Sequence, residues 1–427
     1  MEQWQHTMQK IAEDLDRGHY EEALHKLEES EALADGSLEQ LTQIAELYFQ
    51  LGHQESAGRI ADKVLQLDSE LTGALLIKAE IAVQNGEWDE AVGCLEKANR
   101  VEPEHPDVLV ALADCYREMG IPEVAIHYLQ QLVEQEASSP YYLLALGLTQ
   151  LESGQVHPAV ESLMLAYELD NQDPDIITTL AKALVEAGQW EDSVHYLEQA
   201  LRLNPNDTET ALTKAVLHHK LGETDEAVDQ LIRLREKEPE NTDVLKQLGE
   251  IQLALGRVQD AKKTWETLHR LDPYQGDALL SLGRIALKEQ KWQESLDYFK
   301  FALESGDERD DILVGMAEAY QGMEEWSEAL HYYEQIGLET DSSPPPAGIY
   351  REMARCHMEL ENFNRAIPCL EKELQLTDDA DLRNELADAY WQAGRREDAC
   401  ECWRKSLDLD PNQWDIAELY ERNCIFS

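Results

Sequence analysis

The 427-residue sequence predicts an all-α solenoid built from about twelve helix-turn-helix units. Three observations carry that expectation. First, GEWDEAVGCLEKANRVEPEH from Gly86 and GQWEDSVHYLEQALRLNPND from Gly188 are near-copies, 102 residues or three times 34 apart. Second, a small residue recurs every 34 residues from Ala23 to Ala329, as serine at Ser193 and Ser295, and again at Ala366 and Ala399. Third, another small column lies twelve positions earlier, from Ala45 to Ala387, as glycine at Gly147, Gly249 and Gly283. Only the first unit departs from this second column, with Ile11.

Each column assigns an element. The column through Ala45 marks the first helix of a unit and the column through Ala23 marks the second. Two helices that pack closely need small residues where their backbones meet. Between them glycine stands at Gly18, every 34 residues to Gly256, and at Gly394, where a positive φ costs glycine little. Gln290, Glu324 and Glu361 interrupt that turn column. Four residues into the second helix from its small residue stands a large apolar one, such as Leu95, Leu197, Trp265, Phe299 or Trp403. Pro103, Pro205, Pro239, Pro273 and Pro411 close five of the units, because proline disrupts a helix interior. A lone hairpin of this size cannot bury its apolar stripe, so neighbours must stack.

With these columns in register the chain resembles the tetratricopeptide-repeat (TPR) family, whose signature it matches at the large, small, alanine and proline positions over nearly its whole length. The resemblance implies a right-handed TPR superhelix. Repeats 1–10 then occupy residues 4–343 and repeats 11–12 occupy 347–413. A proline insertion at 344–346, within SSPPPAG, forms a seam, and 414–427 form a C-terminal capping helix.

Charge narrows the partners. Lys and Arg number 36 against 87 Asp and Glu, a formal charge of −51. Such a field repels nucleic acid and anionic lipid and attracts basic surfaces. It speaks equally for simple solubility. No stretch approaches the roughly 18 apolar residues of a membrane span, and the N-terminus lacks the features of a signal peptide. Seven cysteines, an odd number, follow no disulfide framework, which points to a reducing cytoplasm.

The repeats leave no segment for a catalytic domain. Cys400 and Cys402 are two residues apart on a helix and point to nearly opposite sides. His218 and His219 fall on opposite columns. His127, His195 and His331 recur at one repeat position, too far apart along a solenoid to share a site. No phosphate-cradling glycine motif or nucleophile elbow occurs. The expectation is a non-enzyme with no cofactor and no metal.

In the TPR family the first helices line a concave groove that partners occupy. Repeat positions 2, 5, 9 and 12 of that helix share one face. Position 5 is apolar at Leu76, Val110, Leu144, Leu212, Leu280 and Val314, and position 12 at Val83, Leu151, Val185, Leu253 and Leu287. Position 9 carries Glu80, Asp114, Glu250 and Glu318, with Glu46 and Asp388 at the same place in other repeats. Position 2 is acidic too, as at Asp107, Asp175 and Asp277, where a helix N-terminus by itself favours carboxylates. These columns describe an apolar floor edged with carboxylates, suited to a protein or peptide with apolar and basic residues. Lateral packing between adjacent first helices is the competing explanation of the apolar positions. Lys182 and Lys246 stand alone, so the lysine-rich clamp by which some TPR proteins hold acidic chaperone tails is absent. The reading is a cytoplasmic TPR scaffold or adaptor. Its alternatives are a chaperone-like or regulatory factor for basic surfaces of RNA polymerase or the ribosome, and a self-assembling array.

Overall fold

Helices of 13 or 14 residues dominate the computed structural model, because each 34-residue period holds two helices and two turns. The structure describes residues 2–34, 37–307, 309–336 and 348–425. The seam expected at 344–346 lies outside them. Among the described residues every element is helical. The chain forms two compact units, Met1–Leu221 and Gly222–Ser427.

Unit 1 contains α1 (Glu2–Asp16), α2 (Tyr20–Leu33), α3 (Leu38–Gln50), α4 (Gln54–Leu67), α5 (Thr72–Asn85), α6 (Trp88–Val101), α7 (Pro106–Glu118), α8 (Pro122–Gln135), α9 (Pro140–Glu152), α10 (Val156–Leu169), α11 (Pro174–Glu186), α12 (Trp190–Leu203) and α13 (Thr208–Lys220). Unit 2 contains α14 (Thr224–Lys237), α15 (Thr242–Ala254), α16 (Val258–Leu271), α17 (Gly276–Lys288), α18 (Trp292–Glu304), α19 (Asp310–Gly322), α20 (Trp326–Gln335), α21 (Ile349–Glu359), α22 (Phe363–Leu376), α23 (Ala380–Gln392), α24 (Arg396–Leu409) and α25 (Trp414–Tyr420), then a π-helical turn, Glu421–Ile425. Within unit 1 each odd-numbered helix through α11 packs on its successor as a hairpin; within unit 2 the same holds from α15 to α24. The second helix of each such hairpin also packs on the first helix of the next in its unit.

The two small columns meet inside the hairpins. Ser193 Oγ donates to the carbonyl of Ala181 at 2.8 Å, and Ser295 Oγ donates to that of Gly283 at 2.9 Å. A hydroxyl therefore replaces the usual alanine methyl only where a carbonyl receives it. Size is traded across the same contact. Trp265 and Phe299, both fully buried, face Gly249 and Gly283, where an added Cβ would lie 2.6 Å and 2.4 Å from the ring. Leu197 faces the larger Ala181 instead, and both are buried.

The turns follow backbone need more strictly than residue type. The glycines of the turn column adopt positive φ, as at Gly86 (φ 75°), whose N–H caps α5. The three interruptions do the same without glycine: Gln290, Glu324 and Glu361 have φ of 58°, 62° and 57°. Left-handed backbone costs an L-residue roughly 1–2 kcal/mol, partly offset by the entropy glycine loses on folding. Glu324→Gly should therefore stabilise unit 2 by roughly 0.5–1 kcal/mol, read as a higher urea midpoint. An unchanged or lower midpoint would show that the turn is unstrained.

The acidic position-2 column lies in the first turn of its helices, where the dipole favours it. The side-chain caps lie two residues upstream: Asp173, Asp207, Asn241, Gln275 and Asp379 accept the first amides. Two expectations need correction. Proline does occur inside a helix, at Pro368 in α22. The cysteines do form a bridge, Cys400–Cys424. Their 24-residue spacing carries no recognisable pattern, and only the fold of the terminal segment back onto α24 brings them together.

Candidate peptide-docking groove

In unit 1, α3, α5, α7 and α9 bring the position-5, -9 and -12 side chains to a pocket of about 760 Å³. Leu76, Glu80, Val83, Asp114 and Leu144 line it. Phe49, Trp88, Glu118, Tyr141 and Leu148 add to the wall, and one cation, Arg117, lies in it, paired with Asp114 and Glu118 at 3.8 and 3.6 Å. Trp88 opens α6 and brings a residue of a second helix into the lining. Tyr141 occupies repeat position 2, where most units carry an acid, so the break in that column marks the pocket in the sequence. Trp88 and Tyr141 were not among the residues expected there.

The remaining groove candidates are placed differently. In unit 1, Val110 packs into the cluster around Leu109 and Leu146, Leu151 into that around Leu180 and Val185 into that around Leu197. Leu212 is half-buried on α13. In unit 2, Leu280 is buried, and Leu253 and Val314 pack against neighbouring clusters. Leu287 and Glu318 line a second pocket of about 440 Å³ with Trp292, Trp326 and Arg355. Glu250 is exposed on α15.

Electrostatics separates the two units. Position 9 in the unit 1 pocket region reads Glu46, Glu80 and Asp114 on successive first helices. All three reach solvent, yet partial burial raises each carboxyl above its ordinary value. Glu80 is raised further by Glu46 and Asp107. Asp114 is eased by Arg117 at 3.8 Å. Among the described residues no ion pair or hydrogen bond of a side chain engages Glu46 or Glu80.

In unit 2 the same position alternates in sign: Glu250, Arg284, Glu318, Arg355, Asp388. Burial again raises the three carboxyls, but cations surround the row. Lys246 lies 2.5 Å from Asp277, Arg284 lies 3.1 Å from Asp311, and Arg351 grips Glu385 with bonds of 2.7 and 2.9 Å. The isolated lysines of the sequence are thus engaged: Lys246 as above, and Lys182 with Glu209 at 2.9 Å. Exposed pairs of this kind contribute about 0–1 kcal/mol each. The position-9 carboxylates of unit 2 are themselves unpaired among the described residues; the difference is that Lys246 and Arg284 ease Glu250 and Glu318, whereas Glu80 is raised further by Glu46 and Asp107.

Among the described residues no group of three or more His, Cys, Asp or Glu is arranged to hold a metal ion. No helix there is long and apolar enough to cross a membrane.

A tetratricopeptide-repeat protein from Parabacteroides merdae is 17% identical, with 58% of this chain and 97% of that one aligned at a TM-score of 0.43. YrrB, described as a TPR protein with an unusual peptide-binding site, is 21% identical over 42% and 94% of the two chains, TM-score 0.39. PilF of Pseudomonas aeruginosa is 19% identical over 52% and 97%, TM-score 0.42. Likeness at this level carries no argument. No curated protein sequence matches. Sequence profiles described as tetratricopeptide repeat match residues 82–148, 178–241, 246–309 and 380–413. Those segments span more than half the sequence, and the packed hairpins lie in the same register: the chain belongs to the tetratricopeptide-repeat family.

Proposed function

We propose that this protein is a non-catalytic scaffold or adaptor whose unit 1 pocket docks a peptide segment bearing an apolar anchor beside a lysine or arginine. The observation that carries the reading is Glu80. It is a carboxylate with no cation of its own, set among Phe49, Leu76, Val83 and Trp88. Glu80 reaches solvent but is partly desolvated by these apolar neighbours, so a cation brought by a partner would favour its ionised form. A guanidinium or ammonium beside an apolar side chain satisfies both features at once. Unit 2, with its alternating row, is assigned a supporting role in this reading. A cytoplasmic location belongs to the same proposal.

The experiment is photo-crosslinking of the full chain with a short amphipathic peptide presenting leucines and arginines, followed by mapping of the adducts. Adducts on α3, α5, α7 and α9 are expected, and high salt should diminish them, because exposed charges are screened within about 10 Å at 0.1 M salt. Adducts confined to unit 2 would overturn the assignment.

A further inference from the structure

We propose that Cys400 and Cys424 are a reversible thiol–disulfide pair that latches the C-terminal helix onto the last hairpin and exchanges with low-molecular-weight thiols and disulfides of the glutathione class. The bridge joins α24 to the π-helical turn that follows α25, with the two Cα atoms 5.8 Å apart, inside the range a disulfide spans. What it holds is a short segment with no buried core of its own. Helix α25 has only seven residues and none of them is buried; its Trp414 is 81% exposed. A helix of that length is not stable alone. Its non-covalent attachment consists of half-buried contacts by Ile416, Tyr420 and Cys424 on the cluster of Cys402 and Trp403, and of hydrogen bonds from Gln413 to Ser406 on α24 and with Asn384 on α23. Gln413 anchors the start of α25, and the bridge adds a covalent link at its far end.

Geometry singles out the same pair, since among the described residues only these two sulfurs are bridged, and neither Cys400 nor Cys424 is fully buried. Cys115, Cys356 and Cys402 are buried, and burial holds the thiols of Cys115 and Cys356 up at about 11. Cys94 and Cys369, partly covered, are raised by burial as well. Thiolate is the exchanging species, so these five react slowly. In forming the bridge, one cysteine thiolate attacks the small disulfide, giving a mixed disulfide and releasing one small thiol. The second thiolate then attacks the protein sulfur, closing Cys400–Cys424 and releasing the second. The protein pair loses two electrons and two protons, and the small disulfide is reduced to two thiols. Excess small thiol reverses both steps.

The full chain should be equilibrated in glutathione buffers of graded thiol-to-disulfide ratio, quenched with a maleimide mass tag and mapped. In parallel, amide exchange is followed over residues 414–424. The expected result is that Cys400 and Cys424 titrate together as one two-electron couple and the other five thiols stay constant. On reduction, exchange of the cap should quicken by about 10-fold or more while α23 is unchanged. The Cys400→Ser/Cys424→Ser variant should match the reduced protein in every buffer. Three results would each overturn the proposal: a pair that stays dithiol at every ratio, pairing of Cys424 with Cys402, or cap exchange indifferent to the bridge.

Discussion

Gly283→Leu is expected to destabilise unit 2 by roughly 3 kcal/mol, the upper end of the usual overpacking range. An added Cβ at Gly283 would sit 2.4 Å from the ring of Phe299. The ring cannot swing away, because a Cβ at Gly315 on α19 would also lie 2.4 Å from it. Phe299 is fully buried between these two glycines. Leucine is the better helix former by about 0.8 kcal/mol, which does not offset the clash. Ala181→Leu should act likewise in unit 1, costing roughly 1–3 kcal/mol, and repeat coupling should spread both losses to neighbouring hairpins. Thermal or urea melts matching wild type would show that the small columns do not face each other.

The largest functional effect is expected from Leu76→Lys with Leu144→Lys, which replace two walls of the unit 1 pocket. Full burial of one such side chain contributes about 1.5–3 kcal/mol, so losing apolar contact at both should weaken a leucine–arginine peptide by about 100-fold or more. Lysine keeps helix propensity, and circular dichroism checks that the helices persist. Val110→Lys is the informative comparison: Val110 packs beside the pocket without lining it, so peptide affinity should fall less than stability does. His127→Gln with His195→Gln, at exposed positions on second helices, should leave affinity unchanged. Equal losses at pocket and exposed sites would refute the pocket as the site.

The pocket carboxyls also set a pH dependence. Their pKa values are raised in the folded protein. A cation binds only the ionised form, so peptide affinity should fall on acidification above the ordinary carboxylate range. Stability moves in the opposite sense. A carboxyl whose folded pKa exceeds its unfolded value favours folding below the unfolded pKa, and that contribution is lost as pH rises through the folded value. Glu80→Gln should accordingly raise the melting temperature at neutral pH, by no more than a few tenths of a kcal/mol for a group this exposed, and the gain should vanish near about pH 4. A gain that persists in acid would mean that the charge of Glu80 is not its source.

Much of the fold was legible in the sequence because packing imposes a period. Ala181 and Ser193 are twelve residues apart because that separation places them face to face, and every stacked hairpin repeats the demand. The turn was legible from register where residue type failed: Gln290, Glu324 and Glu361 adopt the backbone that glycine adopts elsewhere. Other features have no period and stayed hidden. The cap at Asp173 lies two residues from the acid that the column emphasised. The bridge from Cys400 depends on where the last seven-residue helix folds. The apolar face read as one groove contains residues that only pack laterally, such as Val185, and residues that pack laterally and also line the pocket, such as Leu76, because both face the same side of a first helix. Whether a carboxylate is compensated depends on the next hairpin. Arg284 meets Asp311, whereas Glu80 meets only Glu46 and Asp107.

The central claim is that Glu80 receives a cation from a docked peptide, and a charge-swap cycle by calorimetric titration tests it most directly. Wild type and Glu80→Lys are each titrated with a leucine–arginine peptide and with its arginine-to-glutamate counterpart. The account predicts that Glu80→Lys loses the arginine peptide by about 10-fold or more and regains affinity for the glutamate peptide, a coupling above about 1.4 kcal/mol. Additive effects, with no recovery in the swapped pair, would contradict it.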